Sequence, residues 1–118
     1  IRRLPADLLE EIRAKGIVQA EHAQLESVLP ESDVLYVTRV QKERFEDLET
    51  YERVKGAFVV DPQTMALAKE QMIVMHPLPR VGEIAMEVDD DPRAAYFRQM
   101  EYGLYVRMAL LALVLGKA

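Results

Sequence analysis

The residues best suited to binding an anion follow a short apolar run at residues 34–37. The run reads Val-Leu-Tyr-Val, which predicts a strand buried on both faces of a parallel sheet, and Thr38 and Arg39 come directly after it. In open α/β sheets ligands bind beyond the carboxyl ends of the strands, and the planar guanidinium group of an arginine there suits a carboxylate. Residue types alone favour a plainer interpretation, in which Arg39 belongs to a solvated charge run at 39–44.

A second candidate site is the turn formed by Pro77, Leu78 and Pro79. Each proline fixes its own φ and restricts the residue before it, so the chain must turn sharply here. Neither proline has an N–H group, and we expect the carbonyls of Pro77 and Leu78 to be available to a ligand amine. The apolar run at 73–75 predicts a second buried strand, whose carboxyl end would deliver this turn to the same sheet edge as Arg39.

Two other features could suggest a metal site. His22 has no second ligand type at metal spacing, and we interpret it as a polar loop residue. The acidic run at 89–91 lacks the further placed oxygens that calcium or magnesium requires. We predict instead that Asp91 is a helix N-cap and that Pro92 lies in the first turn.

Periodic apolar residues predict the elements that must position these groups. The predicted helices span 5–15, 25–29, 45–56, 62–70 and 92–115, and a further strand is predicted at 17–20. Asp61 is the expected N-cap of the helix at 62–70. The end of the last helix, 108–115, is apolar all round, so we predict that this chain alone exposes an apolar patch and associates.

Composition narrows the classes of function. The chain has 118 residues, half of them apolar, enough for one domain with a real core. Its 15 basic and 20 acidic residues are interleaved and give a net charge of −5, which argues against nucleic-acid or membrane partners. The chain has no cysteine, which fits the cytoplasm, and the apolar run at 108–115 is far shorter than the roughly 20 residues that span a bilayer.

Three segments together resemble the aspartate-binding half of aspartate carbamoyltransferase. They read Thr-Arg-Val-Gln-Lys-Glu-Arg at 38–44, Met-His-Pro-Leu-Pro-Arg at 75–80 and Asp-Pro-Arg-Ala-Ala-Tyr-Phe-Arg-Gln at 91–99, and the likeness extends over nearly all of the chain. The resemblance implies an α/β fold with a parallel, Rossmann-like sheet, the second domain of aspartate and ornithine carbamoyltransferases. It implies that residues 1–118 are a partial aspartate-binding domain that lacks its first strand and helix, and that the carbamoyl-phosphate-binding domain is absent. The start without methionine fits a piece of a larger polypeptide, and the third segment looks most like the multifunctional pyrimidine-synthesis proteins of fungi and animals.

The resemblance also implies roles for individual residues. In this family the arginine of the Thr-Arg-Val-Gln segment binds a carboxylate of L-aspartate and the glutamine assists, so aspartate binding is assigned to Arg39 and Gln41. The backbone of Pro77, Leu78 and Pro79 would hold the carbamoyl nitrogen or the incoming amine, with a cis Leu78–Pro79 peptide bond. The resemblance implies no catalytic side chain, metal or cofactor among these residues.

Two charged neighbours of the turn receive structural interpretations. The family places its catalytic histidine in the absent domain, so we interpret His76 as structural. Arg80 is expected to support the turn through an ion pair with Glu83 or Glu87.

The implied function is carbamoyl transfer from carbamoyl phosphate to L-aspartate in pyrimidine synthesis. The implied partners are the carbamoyl-phosphate domain of the same chain and two further copies in a homotrimer. The family's Ser-Thr-Arg-Thr loop, its His-x-x-Gln segment and its second aspartate-binding arginine have no counterpart here. We therefore expect these residues alone to be inactive.

Two alternatives remain open. Ornithine carbamoyltransferase shares the fold, but it typically carries Ser-Met-Gly and His-Cys-Leu-Pro where this chain has Thr-Arg-Val-Gln and His-Pro-Leu-Pro. An arginine suits a carboxylate and not an ammonium group. A non-catalytic scaffold or interaction module of the same fold is disfavoured because Arg39, Gln41 and the proline turn are retained together.

Overall fold

Two short parallel strands form the centre of the structure. The computed structural model describes residues 4–41, 47–49, 51, 56 and 58–117. Within them, β1 (Val34–Tyr36) and β2 (Ile73–Met75) pair in parallel, with Leu35 opposite Val74. The predicted α/β fold with a parallel strand pair is therefore confirmed.

The other described elements are helices and short helical turns. The described α-helices are α1 (Ala6–Ala14), α2 (Pro62–Ala66) and α3 (Tyr96–Val114), and the 3-10 helices are Leu29–Glu31 and Met86–Asp90. Asp61 is the N-cap of α2, as predicted, and its side chain accepts a hydrogen bond from the Thr64 amide at 2.7 Å. None of the helices in the described part of the chain has the length and apolar composition that a membrane span requires.

The core lies around β2. Its buried apolar residues are Leu29, Val60, Met65, Met72, Val74, Ile84, Val88, Ala94 and Tyr96. The segment before α3 runs alongside β2, because the Val74 amide donates to the Arg93 carbonyl and the Ala95 amide donates to the Val74 carbonyl, both at 2.8 Å. This places β2 between β1 and the segment 93–95, which explains why Val74 is completely buried.

The strand β1 is less buried than its apolar sequence predicts. Val34 and Tyr36 are each 53% exposed. In the described part of the chain β1 pairs with β2 alone and is an edge strand. The prediction that it is buried on both faces is wrong for this chain.

Three predicted elements are absent, replaced or shorter in the structure. Residues 17–20 form no strand, and Val18 is almost fully exposed because nothing pairs with or covers it in the described structure. The helix predicted at 25–29 is replaced by turns that lead into the 3-10 helix Leu29–Glu31, which contains Pro30. The helix α2 ends at Ala66, four residues earlier than predicted.

The last helix begins later than predicted, at Tyr96. Asp91 is not its N-cap, because the Asp91 carboxylate accepts hydrogen bonds from the amide and the side chain of Arg93, both at 2.9 Å. These bonds form a turn that lets residues 93–95 follow β2 before the helix starts. Most of the helix predicted at 45–56 lies outside the described residues.

Candidate functional site

The carboxyl ends of β1 and β2 lie side by side. The Val37 amide donates to the Met75 carbonyl at 2.8 Å, which continues the strand pairing one residue beyond β1. Arg39 therefore follows one strand end and His76 follows the other, at the same edge. This is the convergence of two strand ends that the sequence predicts.

Arg39 is exposed and lines a cavity of about 210 Å³. The other described residues that line the cavity are Val40, Tyr51, Gly56, Val59, Val81, Gly82 and Glu83. Residues 81–83 of this wall are separated from the proline turn by Arg80 alone, so Arg39 and the segment after the turn line the same cavity. Gln41, which is half-buried, and the turn residues 77–79 are not among the described residues of its wall.

The proline turn has the backbone that the family resemblance implies. The Leu78–Pro79 peptide bond is cis, as predicted, and Leu78 has a φ of 40°. A positive φ is rare for a residue with a side chain as large as leucine, so neighbouring groups must hold this conformation. Leu78 packs against the core, whereas Pro77 and Pro79 are exposed.

His76 and Glu83 form a buried pair next to the turn. His76 is 1% exposed and Glu83 is 7% exposed, and His76 Nε2 lies 2.7 Å from Glu83 Oε1. His76 Nδ1 accepts a hydrogen bond from the Leu78 amide at 2.8 Å. The interpretation of His76 as structural agrees with these contacts, but the prediction that Glu83 could pair with Arg80 is wrong.

Hydrogen bonds to the Glu83 carboxyl group favour its ionised form. Burial alone would raise the pKa of its carboxyl group, but hydrogen bonds from the Val81 and Glu83 amides and from His76 outweigh burial and lower that pKa. Glu83 is therefore an ionised carboxylate in a buried place, compensated by hydrogen bonds on both oxygen atoms.

Arg80 is held by Asp89 instead of by Glu83 or Glu87. Its guanidinium group makes two hydrogen bonds to the Asp89 carboxylate, one of them from Nη2 at 2.6 Å, and the Tyr96 hydroxyl donates to the same carboxylate. The hydrogen bond from Arg80 lowers the pKa of Asp89, and the Asp89 carboxylate raises the pKa of Arg80. Burial, together with the hydrogen bond to Asp89, raises the pKa of Tyr96 to about 12.

Gln99 links the two strand ends and was not singled out by the sequence. Its Oε1 accepts a hydrogen bond from the His76 amide at 2.9 Å, and its Nε2 donates to the Tyr36 hydroxyl at 3.3 Å. The side chain projects from the first turn of α3. The available signal was its position at the end of the 91–99 segment, but no local pattern identifies a partner so far away along the chain.

Two of the three aspartates at 89–91 form ion pairs with arginines. Asp89 binds Arg80, and Asp91 binds Arg93 with a shortest distance of 2.7 Å. Nη1 of Arg93 also donates to the Met65 carbonyl at 2.9 Å and to the Lys69 carbonyl at 3.2 Å, which joins α2 to the segment beside β2. Over the described ranges, no three His, Asp or Glu side chains converge as metal ligands would.

This arrangement is suited to binding and orienting a small anion. An arginine at a strand end supplies a charged fork for a carboxylate. A fixed backbone turn supplies carbonyl oxygens that accept hydrogen bonds from an amine or amide.

Comparison with known proteins gives consistent matches. Residues 4–114 match the family described as "Aspartate/ornithine carbamoyltransferase, Asp/Orn binding domain". The chain is 61% identical over 113 residues to "Multifunctional protein pyr1-3" of Dictyostelium discoideum, covering 96% of this chain and 5% of that protein. It is 54% identical over 115 residues to the "Aspartate carbamoyltransferase catalytic subunit" of Lachnoclostridium phytofermentans, covering 97% of this chain and 38% of that subunit.

Solved structures agree. The catalytic subunit of aspartate transcarbamoylase from M. jannaschii is similar with a TM-score of 0.87 and 46% identity, covering 98% of this chain and 38% of that one. The aspartate transcarbamoylase of Trypanosoma cruzi in complex with N-(phosphonacetyl)-L-aspartic acid is similar with a TM-score of 0.79 and 50% identity, covering 92% of this chain and 36% of that one. The chain therefore spans well under half of the length of these relatives.

Proposed function

This chain belongs to the aspartate/ornithine carbamoyltransferase family, and on that premise we propose that the protein carrying it transfers the carbamoyl group of carbamoyl phosphate to L-aspartate. The products are N-carbamoyl-L-aspartate and phosphate, in pyrimidine synthesis. The amine nitrogen of aspartate attacks the carbonyl carbon, the bond from that carbon to the phosphate oxygen breaks, and the amine loses a proton. Such a reaction depends on orienting two small anions and stabilising the charge that develops between them.

One observation carries the proposal: the parallel pairing of β1 with β2 brings Arg39 and the proline turn to one edge. Arg39 binds a carboxylate of aspartate through its guanidinium fork, and Gln41 assists it. The carbonyls of Pro77 and Leu78, with Pro79 completing the turn, accept hydrogen bonds from the carbamoyl nitrogen or the amine. Aspartate binding and turn geometry are the contribution of these residues.

The remaining parts of the reaction belong to a carbamoyl-phosphate-binding domain outside these residues. The phosphate contacts and proton transfer are assigned to that domain, since neither the phosphate loop nor the catalytic His-x-x-Gln segment of the family occurs here. We propose that the complete enzyme is a homotrimer in the cytoplasm, on the strength of the family resemblance and the absence of cysteine. The mass of the complete protein in solution, measured by light scattering, tests the trimer.

Ornithine is the less favoured acceptor. An ammonium side chain would face the Arg39 guanidinium, and like charges repel. Three of the relatives compared above are named as aspartate carbamoyltransferases or transcarbamoylases. A steady-state assay of the complete protein with carbamoyl phosphate should form carbamoyl-aspartate with L-aspartate and no citrulline with L-ornithine.

The binding of N-(phosphonacetyl)-L-aspartic acid tests the role of Arg39 directly. Titration calorimetry of the complete protein should show tight binding, and Arg39→Ala should weaken it by about 100-fold, since a hydrogen bond to a charged group is worth about 1.5–3 kcal/mol. The control is Arg13→Ala, which removes an exposed arginine of α1. An Arg39→Ala protein with unchanged affinity would favour a non-catalytic scaffold.

A further inference from the structure

The Leu78 amide has an unusual acceptor. It is the only N–H group between Pro77 and Pro79, because prolines have none. It donates to His76 Nδ1 at 2.8 Å, a side chain only two residues earlier. This bond closes the turn at the residue whose backbone is unusual. Leu78 has a φ of 40°, which a leucine rarely adopts. The imidazole of His76 therefore holds the peptide unit that the proposed function uses.

The direction of this hydrogen bond decides the protonation of His76. A nitrogen that accepts a hydrogen bond carries no proton, so Nδ1 is bare. The ring proton is then on Nε2, which lies 2.7 Å from Glu83 Oε1 and donates to it. The second carboxylate oxygen, Oε2, accepts from the Val81 amide at 2.9 Å. Each ring nitrogen of His76 and each carboxylate oxygen of Glu83 thus has a hydrogen-bond partner, and the direction of each of these bonds is fixed.

Further hydrogen bonds fix the backbone of both His76 and Glu83. The Val60 amide donates to the Glu83 carbonyl at 3.0 Å, and the Ala85 amide donates to the Val60 carbonyl at 2.9 Å. At the other end, the His76 amide donates to Gln99 at 2.9 Å. Glu83 also lines the cavity of Arg39. His76 and Glu83 therefore connect the proline turn to the wall of the cavity that Arg39 lines.

We propose that His76, in its neutral Nε2–H form, and Glu83 are positioning residues that aim the Pro77 carbonyl, which shares a peptide unit with the Leu78 amide, at the reacting groups. The inference rests on the proposed function and adds two residues to it. Neither side chain touches a substrate in this role. His76 acts through the Leu78 amide, and Glu83 acts by keeping the proton of His76 on Nε2.

Substitutions of His76 separate this role from simple space filling. Asparagine places an oxygen near the position of Nδ1 and keeps an acceptor for Leu78, whereas glutamine places its amide near Nε2 and loses that acceptor. We expect His76→Asn to retain kcat within about tenfold and His76→Gln to lose about 100-fold, since small misplacements of this kind have such effects. The KM for aspartate should change little in both, because Arg39 and Gln41 are intact. A residue that only fills space would give the reverse order, since glutamine is closer to histidine in volume.

Glu83→Gln is the matching test at the other end. Glutamine has the same shape but a single acceptor, while His76 Nε2–H and the Val81 amide both need one. If the ring proton moved to Nδ1 to relieve this conflict, it would face the Leu78 amide. Because no arrangement satisfies all donors, we expect kcat to fall by about 100-fold. A Glu83→Gln enzyme with unchanged kcat would overturn the inference.

A measurement without substitutions tests the same inference even where a variant does not fold. Nitrogen NMR of the complete protein with labelled histidine, or neutron diffraction, should find His76 neutral with its proton on Nε2. A proton on Nδ1, or on both nitrogens, would overturn the inference. A complete protein with no carbamoyltransferase activity would refute the proposed function instead, since the tautomer is measured independently of turnover.

Discussion

The Val37 amide and the Met75 carbonyl are joined by a hydrogen bond of 2.8 Å at the carboxyl ends of two parallel strands. This bond sets the register in which Arg39 and the proline turn meet. A slip of one residue would move the side chains of the strand to the opposite face of the sheet.

Asp89 is expected to stabilise the turn only while it is ionised. Asp89→Asn removes the charge that binds Arg80 and should lower the free energy of unfolding by about 2 kcal/mol at pH 7, measured by urea denaturation of the complete protein. The lowered pKa of Asp89 means that this stability is present above about pH 4 and is lost as pH falls through the folded-state pKa. The difference between the two proteins should therefore shrink below pH 4. Asp90→Asn, at an exposed neighbour, is the control, and an equal effect there would contradict the prediction.

Tyr96 should make stability sensitive to alkaline pH. Burial raises its pKa from 10.0 to about 12 in the folded protein, so the folded state disfavours the phenolate. The stabilising contribution is complete below pH 10 and is lost as pH rises through the folded-state pKa. Thermal unfolding between pH 9 and about 12 should show a steeper decline for the unsubstituted protein than for Tyr96→Phe. Tyr102→Phe, at a tyrosine that is 60% exposed, should leave the slope unchanged.

The contribution of Arg93 to stability is expected to depend on the several donors of its guanidinium group as well as on its charge. Its guanidinium group binds Asp91 and also donates to the Met65 and Lys69 carbonyls. Lysine keeps the charge but cannot reach all three groups at once. Arg93→Lys should cost about 1–2 kcal/mol in the free energy of unfolding, whereas Arg107→Lys on exposed α3 should cost almost nothing. Equal stabilities of the two variants would show that charge alone is sufficient.

The carboxyl-terminal half of α3 should make residues 1–118 associate when they are produced alone. Leu110, Leu113 and Val114 are exposed by 56%, 64% and 83%, and their neighbours on the helix are also apolar. Such a surface favours association in water. Sedimentation velocity should show mass increasing with protein concentration, and the double variant Leu110→Glu, Leu113→Glu should reduce this increase. A monomer at all concentrations would contradict the prediction.

The local elements follow from the sequence where their causes are local. The apolar runs predicted both strands, and Asp61 followed by Pro62 predicted the start of α2, because an N-cap carboxylate binds an amide only three residues away. The limits of other elements were wrong where tertiary pairing decided them. The segment 93–95 follows β2 instead of starting the helix, because the Val74 amide and carbonyl provide it with hydrogen bonds.

The sequence by itself determined that Arg39 and the proline turn stand at the ends of two parallel strands, and the family resemblance supplied the cis Leu78–Pro79 bond. Only the tertiary structure decided which charged groups pair. Arg80 binds Asp89 and His76 binds Glu83, although sequence spacing alone allowed other pairs. The physical reason is that a side-chain partner is chosen by distance and burial in the folded chain, whereas a strand or a cap is specified by residues next to one another.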